Sequence, residues 1–172
     1  MQISKIAIAI CCLAGAASAR TAFAASLSKA DQRFMIMAAK SDMTEAHEGQ
    51  MAEQRARRNE IKTFAKTLVQ DHTESYERLT ELAAKTGVAI PKGIDTANNR
   101  AIEHLARVTG RRFDRQFVRD EIRAHRHAIA LFKQEAKRGE NAAVKAYAAN
   151  MTPILEKHLH LVEECAKPAK GA

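Results

Sequence analysis

The feature that most constrains this chain is how rarely its helix-forming sequence is broken. Gly and Pro number 7 and 3 in 172 residues and sit where breaks belong. Ser28-Lys29-Ala30-Asp31 has the form of a helix N-cap with an acid at the third position. The spacing predicts a first helix from there to about Arg57 and a second, capped by Asn59, to near Gly87. "VAIPKGID" reads as a loop, and Asp95 can open a short helix that reaches about Thr109 and ends at Gly110. A third long helix is expected over 111–138, stopped by Gly139. A fourth, capped by Asn141, runs to about Ala166 before Pro168. No internal repeat is evident.

Four long helices of about 27 residues would each reach about 40 Å. The tight first and last connections make two antiparallel hairpins. The long middle connection, with its own short helix, can run the length of the bundle and leave the second and third long helices parallel. The expected fold is therefore all-α, a ferritin-like four-helix bundle with a long crossover containing a short extra helix. An up-down bundle with a small helix capping one end is the alternative.

The two termini read differently from the middle. Lys5 followed by "IAIAICCLAGAASA" is a positive n-region and a short apolar h-region, with A-x-A-like sites at Ala17-Ser18-Ala19 and Ala22-Phe23-Ala24. Residues 1–24 are thus expected to be a secretory signal peptide, cut after 19 or 24. The run is too short to span a bilayer, and Ile10 and Cys11 are not the small residues that a lipoprotein cysteine needs before it. The bundle domain is expected over 27–167 and a short tail over 168–172. No later segment has the apolar length of a transmembrane helix. Cys165 is the single cysteine left after cleavage and falls on an apolar stripe, so a packed thiol is expected.

The formal charge is +8, and removing Lys5 and Arg20 with residues 1–24 leaves +6. Acids and bases are mostly interspersed, as on a solvated helical surface. The one dense cluster, Arg55, Arg57 and Arg58, lies at a helix C-terminus, where cations complement the macrodipole. It is the candidate contact for an anionic envelope surface. Nucleic acid is a poor partner for an exported chain with few aromatics to stack on bases.

A helix turns about 100° per residue, so its faces can be computed. In "EIRAHRHAIALF", His125 shares a face with Val118, Ile122, Ala128, Ile129 and Phe132, while His127 points away. His72 is centred among Ile61, Ala65, Leu68, Val69, Tyr76 and Leu79. His158 lies among Tyr147, Met151, Leu155, Val162 and Cys165, with His160 outward. On the first helix Phe34, Ala38, Ser41, Ala52 and Ala56 centre on Glu45; Glu48 is at the edge and His47 points outward. Glu121 shares the face of His125. Counting from the hairpin turns puts Glu45, His72, Glu121, His125 and His158 within about one turn of each other along the bundle.

Burying that many titratable groups is costly unless they pair or bind something. Imidazoles and carboxylates on facing helices are how bundles build metal sites, and this donor set suits zinc, copper, iron or manganese. The competing reading is a structural network in which Glu45 accepts from His72 and Glu121 from His158, with Tyr76 closing the set. The Glu-x-x-His motif of di-iron bundles is absent: Val69, Ile122 and Leu155 precede the three histidines by three. No catalytic triad, phosphate loop or cysteine pair is visible either. Pro153 bends or kinks the fourth helix five residues before His158.

"FAKTLVQDHTESYERLTELAAKTGVAIP", "TEAHEG", the H-x-x-A-x-x-L-F run from His125 and "TPILEKHLHL" resemble a bacterial exported family labelled domain of unknown function (DUF) 4142. The resemblance covers roughly residues 30–166. It implies a ferritin-like four-helix fold and an envelope location, and no activity. Members are often named as outer-membrane proteins, a name at odds with a sequence lacking barrel-strand alternation. The family-typical histidines match His72, His125 and His158, and the first-helix acid matches Glu45. This chain departs by having His47 where a second acid is usual, Glu48 where an apolar residue is usual, and Ala124 where Asp usually precedes the histidine.

The leading expectation is a non-enzymatic periplasmic or envelope protein that binds a transition metal through Glu45, His72, His125 and His158, with Glu121 as a further donor. The alternative is a structural or interaction protein of the envelope stress response, whose core cluster is only hydrogen-bonded. A metal-dependent redox enzyme comes third.

Overall fold

The computed structural model describes residues 27–168. The signal-peptide reading and all but the first residue of the tail lie outside them. Five helices follow in order: α1 (Lys29–Arg55), α2 (Asn59–Thr86), α3 (Thr96–Ala106), α4 (Gly110–Arg138) and α5 (Ala142–Ala166). Most capping follows the sequence. Ser28 accepts from the Asp31 N–H, Asp95 from that of Asn98, and Asn141 from those of Ala143 and Val144. Two boundaries differ. Asn59 is the first residue of α2, behind Arg58, which offers no side-chain cap. The short helix stops at Ala106, and Gly110, at φ 59°, is the first residue of α4. α5 continues through Pro153, which is exposed.

α1 packs on α2 and α4 on α5 as two hairpins, joined face to face through α2–α5 and α1–α4. The crossover runs from one end of the bundle to the other, with α3 against α1 and α4. α2 and α4 are therefore parallel, the ferritin-like arrangement. Gly49 lies in the middle of α1, where a Cβ would stand 2.9 Å from Val69 Cγ2 and 3.0 Å from the Ala65 carbonyl oxygen. It is there because the α1 and α2 backbones approach too closely for a side chain.

Each hairpin turn is held by an aspartate from the other hairpin. Asp31 accepts the N–H groups of Glu140 (3.1 Å) and Asn141 (3.0 Å) in the α4–α5 turn. Asp114 accepts those of Arg57 (3.0 Å) and Arg58 (3.3 Å) in the α1–α2 turn. The reciprocity extends along the helices. At one constant spacing Asp31 corresponds to Asp114, Phe34 to Phe117, Ile61 to Val144, Phe64 to Tyr147, Leu68 to Met151 and Leu79 to Val162, all buried. The two hairpins thus share a pattern of aspartate and core positions that their mid-bundle polar residues do not follow.

The apolar core is split in two. One cluster, around Phe34, Leu79, Phe132 and Met151, fills the end where α1 begins. The other, around Ile61, Phe64, Phe113 and Phe117, fills the end where α2 and α4 begin. Edge-to-face packing of Phe34 on Phe132, with centroids 4.9 Å apart, typifies the first. Each large side chain contributes about 1.5–3 kcal/mol by leaving water. Between the clusters lies a buried polar layer with residues from all four long helices: Asp42 and Glu45, His72, Glu121 and His125, and His158.

Candidate metal centre

All five residues singled out in the sequence meet in this layer. Glu45, His72, Glu121, His125 and His158 are at most 5 % exposed. His47, His127 and His160 are exposed, as the helical wheel predicts. The three buried rings form a triangle, with centroids 5.3 Å (His125–His158), 5.4 Å (His72–His158) and 5.9 Å (His72–His125) apart. The Phe64 ring centroid lies 6.3 Å from those of both His125 and His158, and Phe64 closes the layer toward the core cluster at the end where α2 and α4 begin.

The hydrogen bonds differ from those expected. His72 Nδ1 pairs with Asp42 Oδ1 (2.9 Å), not Glu45. His158 Nε2 pairs with Asp71 Oδ2 (2.8 Å), not Glu121. Tyr147, rather than Tyr76, joins the network: its hydroxyl lies 2.8 Å from Ser75 Oγ, which donates to Asp42 Oδ2. The Tyr76 hydroxyl instead donates to the Pro91 carbonyl. On α1 the buried partner of the stripe is Asp42, not Ser41.

Asp42 and Asp71 are the residues that sequence reasoning missed. Asp42 sits three residues before Glu45, about 60° round the helix, within the stripe once its width is allowed for. Asp71 precedes His72 and lies off the α2 stripe as seen from α1. It reaches His158 because α2 packs on α5 as well, and that second contact is a tertiary fact.

The partners decide which nitrogen of each ring carries the proton. His125 Nδ1 faces the Glu121 backbone carbonyl (2.9 Å), which only accepts, so that nitrogen donates. His72 Nδ1 and His158 Nε2 donate in the same way to carboxylates. In the neutral rings the remaining nitrogens, His72 Nε2, His125 Nε2 and His158 Nδ1, present lone pairs to one another, and at His72 a metal would displace the second proton that its carboxylate neighbours favour. His125 Nε2 and His158 Nδ1 are 3.3 Å apart, and His72 Nε2 has no hydrogen-bond partner. The three histidines can each offer a nitrogen to a common point, with these atoms within 4.8 Å of each other.

Glu45 and Glu121 form a second group with His125, also within 4.8 Å. They approach its other nitrogen, Nδ1, at 4.0 and 3.5 Å. The expected single donor set is therefore two sets sharing His125. Glu45 Oε2 and both Glu121 carboxyl oxygens are buried without a hydrogen-bond partner.

The electrostatics follow from burial and these neighbours. Burial, then the Glu45 charge, pushes Glu121 well above the usual carboxylate range. Burial alone would raise Glu45 too, but His125 and His72 hold it below its ordinary value. Burial lowers His125, and burial with the nearby His72 charge brings His158 down to about 4. These two rings are neutral at pH 7, the form that ligates metal. At His72 burial is outweighed by Asp42 and the surrounding carboxylates, and its pKa is raised.

Two depressions reach this layer. One of about 350 Å³ lies between α1 and α2 under residues 92–94 and touches Asp42 and His72. The other, about 370 Å³, lies between α1, α3 and α4 and touches Glu45 and Glu48. The Lys40–Asp95 ion pair (2.8 Å) holds the crossover over the second. None of the described helices is long and apolar enough to cross a membrane.

Fold and layer together define a ferritin-like bundle with a buried histidine–carboxylate cluster in its middle. The profile of the family described as domain of unknown function (DUF4142) matches residues 16–165, and the chain belongs to that family. In fold it is similar to the crystal structure of a DUF305 fragment from Deinococcus radiodurans. That likeness has a TM-score of 0.70 at 14 % identity and covers 80 % of this chain and 95 % of that one. No curated protein matches the chain.

Proposed function

We propose that the protein is an exported envelope protein that binds one transition metal ion through His72 Nε2, His125 Nε2 and His158 Nδ1. One observation carries the reading. His125 Nε2 and His158 Nδ1 face each other at 3.3 Å in the buried layer, and with their outer nitrogens donating to the Glu121 carbonyl and Asp71 both present lone pairs, an arrangement that a cation between them would satisfy. Burial disfavours a second proton on both rings. A separation of 3.3 Å is also the edge of a tetrahedron whose corners lie about 2.0 Å from its centre, the usual zinc–nitrogen distance. The outer nitrogens are anchored by Asp42, the Glu121 carbonyl and Asp71, as second-layer partners orient metal-binding histidines. Glu45 supplies negative charge beside the site. The export reading rests on the n-region, h-region and cleavage pattern of residues 1–24.

A purely structural polar layer is the second reading, favoured by the Asp42 carboxylate, which pairs with both His72 and Ser75. Metal content per chain separates the two. Protein purified from the periplasm without chelator or tag should carry near-stoichiometric metal, and the His72→Ala/His125→Ala variant none. No metal in either, even after titration with zinc, copper, iron and manganese, would leave the layer as architecture.

A further inference from the structure

A second, unrelated site lies at the end of the bundle where α1 turns into α2 and α4 begins. The arginine cluster read from the sequence is rearranged there. Arg55 is engaged internally: its guanidinium donates to the Val108 carbonyl (2.7 Å) and sits 5.0 Å over the Phe113 ring. In its place α4 brings Arg111, Arg115 and Arg119, one turn apart, to face Arg57 and Arg58 across a cavity of about 660 Å³. Arg57, Arg111, Arg115 and Arg119 are exposed. Asp114 is the acid in the lining, and its oxygens are already taken by the backbone N–H groups of Arg57 and Arg58.

Two further features add positive potential. Both α2 and α4 start at this cavity, and neither has a side-chain cap. Two helix N-termini therefore direct their dipoles toward the same place. Arg58 is fixed by its bonds to the Cys165 carbonyl (2.8 Å) and Glu60.

The floor is apolar, made by Ile61, Val118 and Cys165. A groove of about 780 Å³ between α2 and α5 adjoins it, shares Arg58 and Cys165, and is lined by Phe64, Leu161 and Pro168. The groove acids are paired, Glu60 with Arg58 and Glu164 with Lys167. A basic cavity that opens onto an apolar groove fits a molecule with a phosphate at one end and a hydrocarbon body at the other. We propose that this end of the bundle binds an anionic phospholipid, its phosphate among Arg57, Arg111, Arg115 and Arg119 and an acyl chain along the α2–α5 groove. The site does not depend on metal in the polar layer.

The test is co-sedimentation of the protein with vesicles of phosphatidylglycerol and phosphatidylcholine, against pure phosphatidylcholine. Arg57→Gln/Arg111→Gln/Arg115→Gln is compared with Lys29→Gln/Arg33→Gln/Lys137→Gln, which removes equal charge from the other end. All six residues are exposed, and thermal melts check that both variants fold. The cavity variant should bind roughly a hundredfold more weakly, at about 1 kcal/mol per charge, and the distal variant like the native protein. Soluble dihexanoyl phosphatidylglycerol should displace the vesicles. Equal weakening in both variants would reduce the effect to diffuse charge and overturn the proposal. So would native protein that ignores phosphatidylglycerol, or inorganic phosphate that binds as tightly as the lipid.

Discussion

Two pairs of buried carboxyls in this bundle, the turn-clamping aspartates and the mid-bundle glutamates, are treated in opposite ways. At the ends Asp31 and Asp114 each lie in the core, and each spends its carboxylate on two backbone N–H groups of a hairpin turn. In the middle Glu45 and Glu121 are as deeply buried, and Glu45 Oε2 and both Glu121 oxygens find no hydrogen-bond donor beyond the two carboxyls themselves. The contrast is visible within the shared pattern itself. Asp and Phe recur at matching positions near the ends of the two hairpins, whereas at mid-bundle Asp42 corresponds to His125, Ser75 to His158 and His72 to Leu155. Satisfied buried charge holds a fold together. Buried carboxyl groups left short of donors are kept at a cost in stability, which is reasonable where a ligand compensates it.

The sharpest way to test that difference is to remove one mid-bundle nitrogen. His158→Ala should abolish stoichiometric metal binding, a loss of a hundredfold or more in isothermal titration. Full retention of metal would place the ligands elsewhere.

Next in size are the end aspartates. Asp114→Ala leaves two part-buried N–H groups without their charged acceptor and should lower unfolding stability by about 1–3 kcal/mol. Chemical denaturation should give the same value with and without chelator. A chelator-dependent value would erase the distinction between end and middle. Asp31 adds a pH signature. Burial pushes its pKa up, but the Glu140 and Asn141 N–H groups and its side-chain neighbours bring it below the ordinary value. Its contribution is present above the unfolded pKa and lost as pH falls through the folded one.

Asp71→Asn probes the layer from outside. The fold should hold and metal affinity should fall about 10–100-fold, as for other second-layer partners. An unchanged affinity would show that the Asp71–His158 bond does not orient the ligand.

A pH-dependent effect is expected at Glu48. Burial, then the charges of Glu45 and Asp120, raises it to about 8. The folded protein then binds a proton that the unfolded chain has released, so stability falls as pH rises from the ordinary glutamate value to about 8. Glu48→Gln should flatten that decline in thermal melts between pH 5 and 8. An unchanged slope would mean that Glu48 is ionised in the folded state.

Much of the site was legible in the sequence because helices map sequence onto space simply. A residue's angle and height follow from its number, and that alone places His72, His125, His158, Glu45 and Glu121 in one layer. What failed was pairing. Ring tautomers and acceptors depend on which side chains from neighbouring helices come within about 3 Å. Asp42 lies at the edge of the α1 stripe and Asp71 off the α2 stripe, and each is brought to its histidine by helix packing. The arginine cluster failed for a related reason: three consecutive-looking cations on one turn are split, Arg55 turning inward while α4 supplies the others.

The sequence by itself therefore determined the helices, most of their caps, the hairpins and the depth of the ionisable layer. These rest on local propensity, on breaks at Gly and Pro and on 3.6-residue periodicity. Only the tertiary structure decided the reciprocal aspartate clamps, the split of the layer into two donor sets around His125, and the basic cavity at one end. Each of these joins residues from different helices, and whether they meet depends on helix crossings and rotations at the ångström scale, which no single helix encodes.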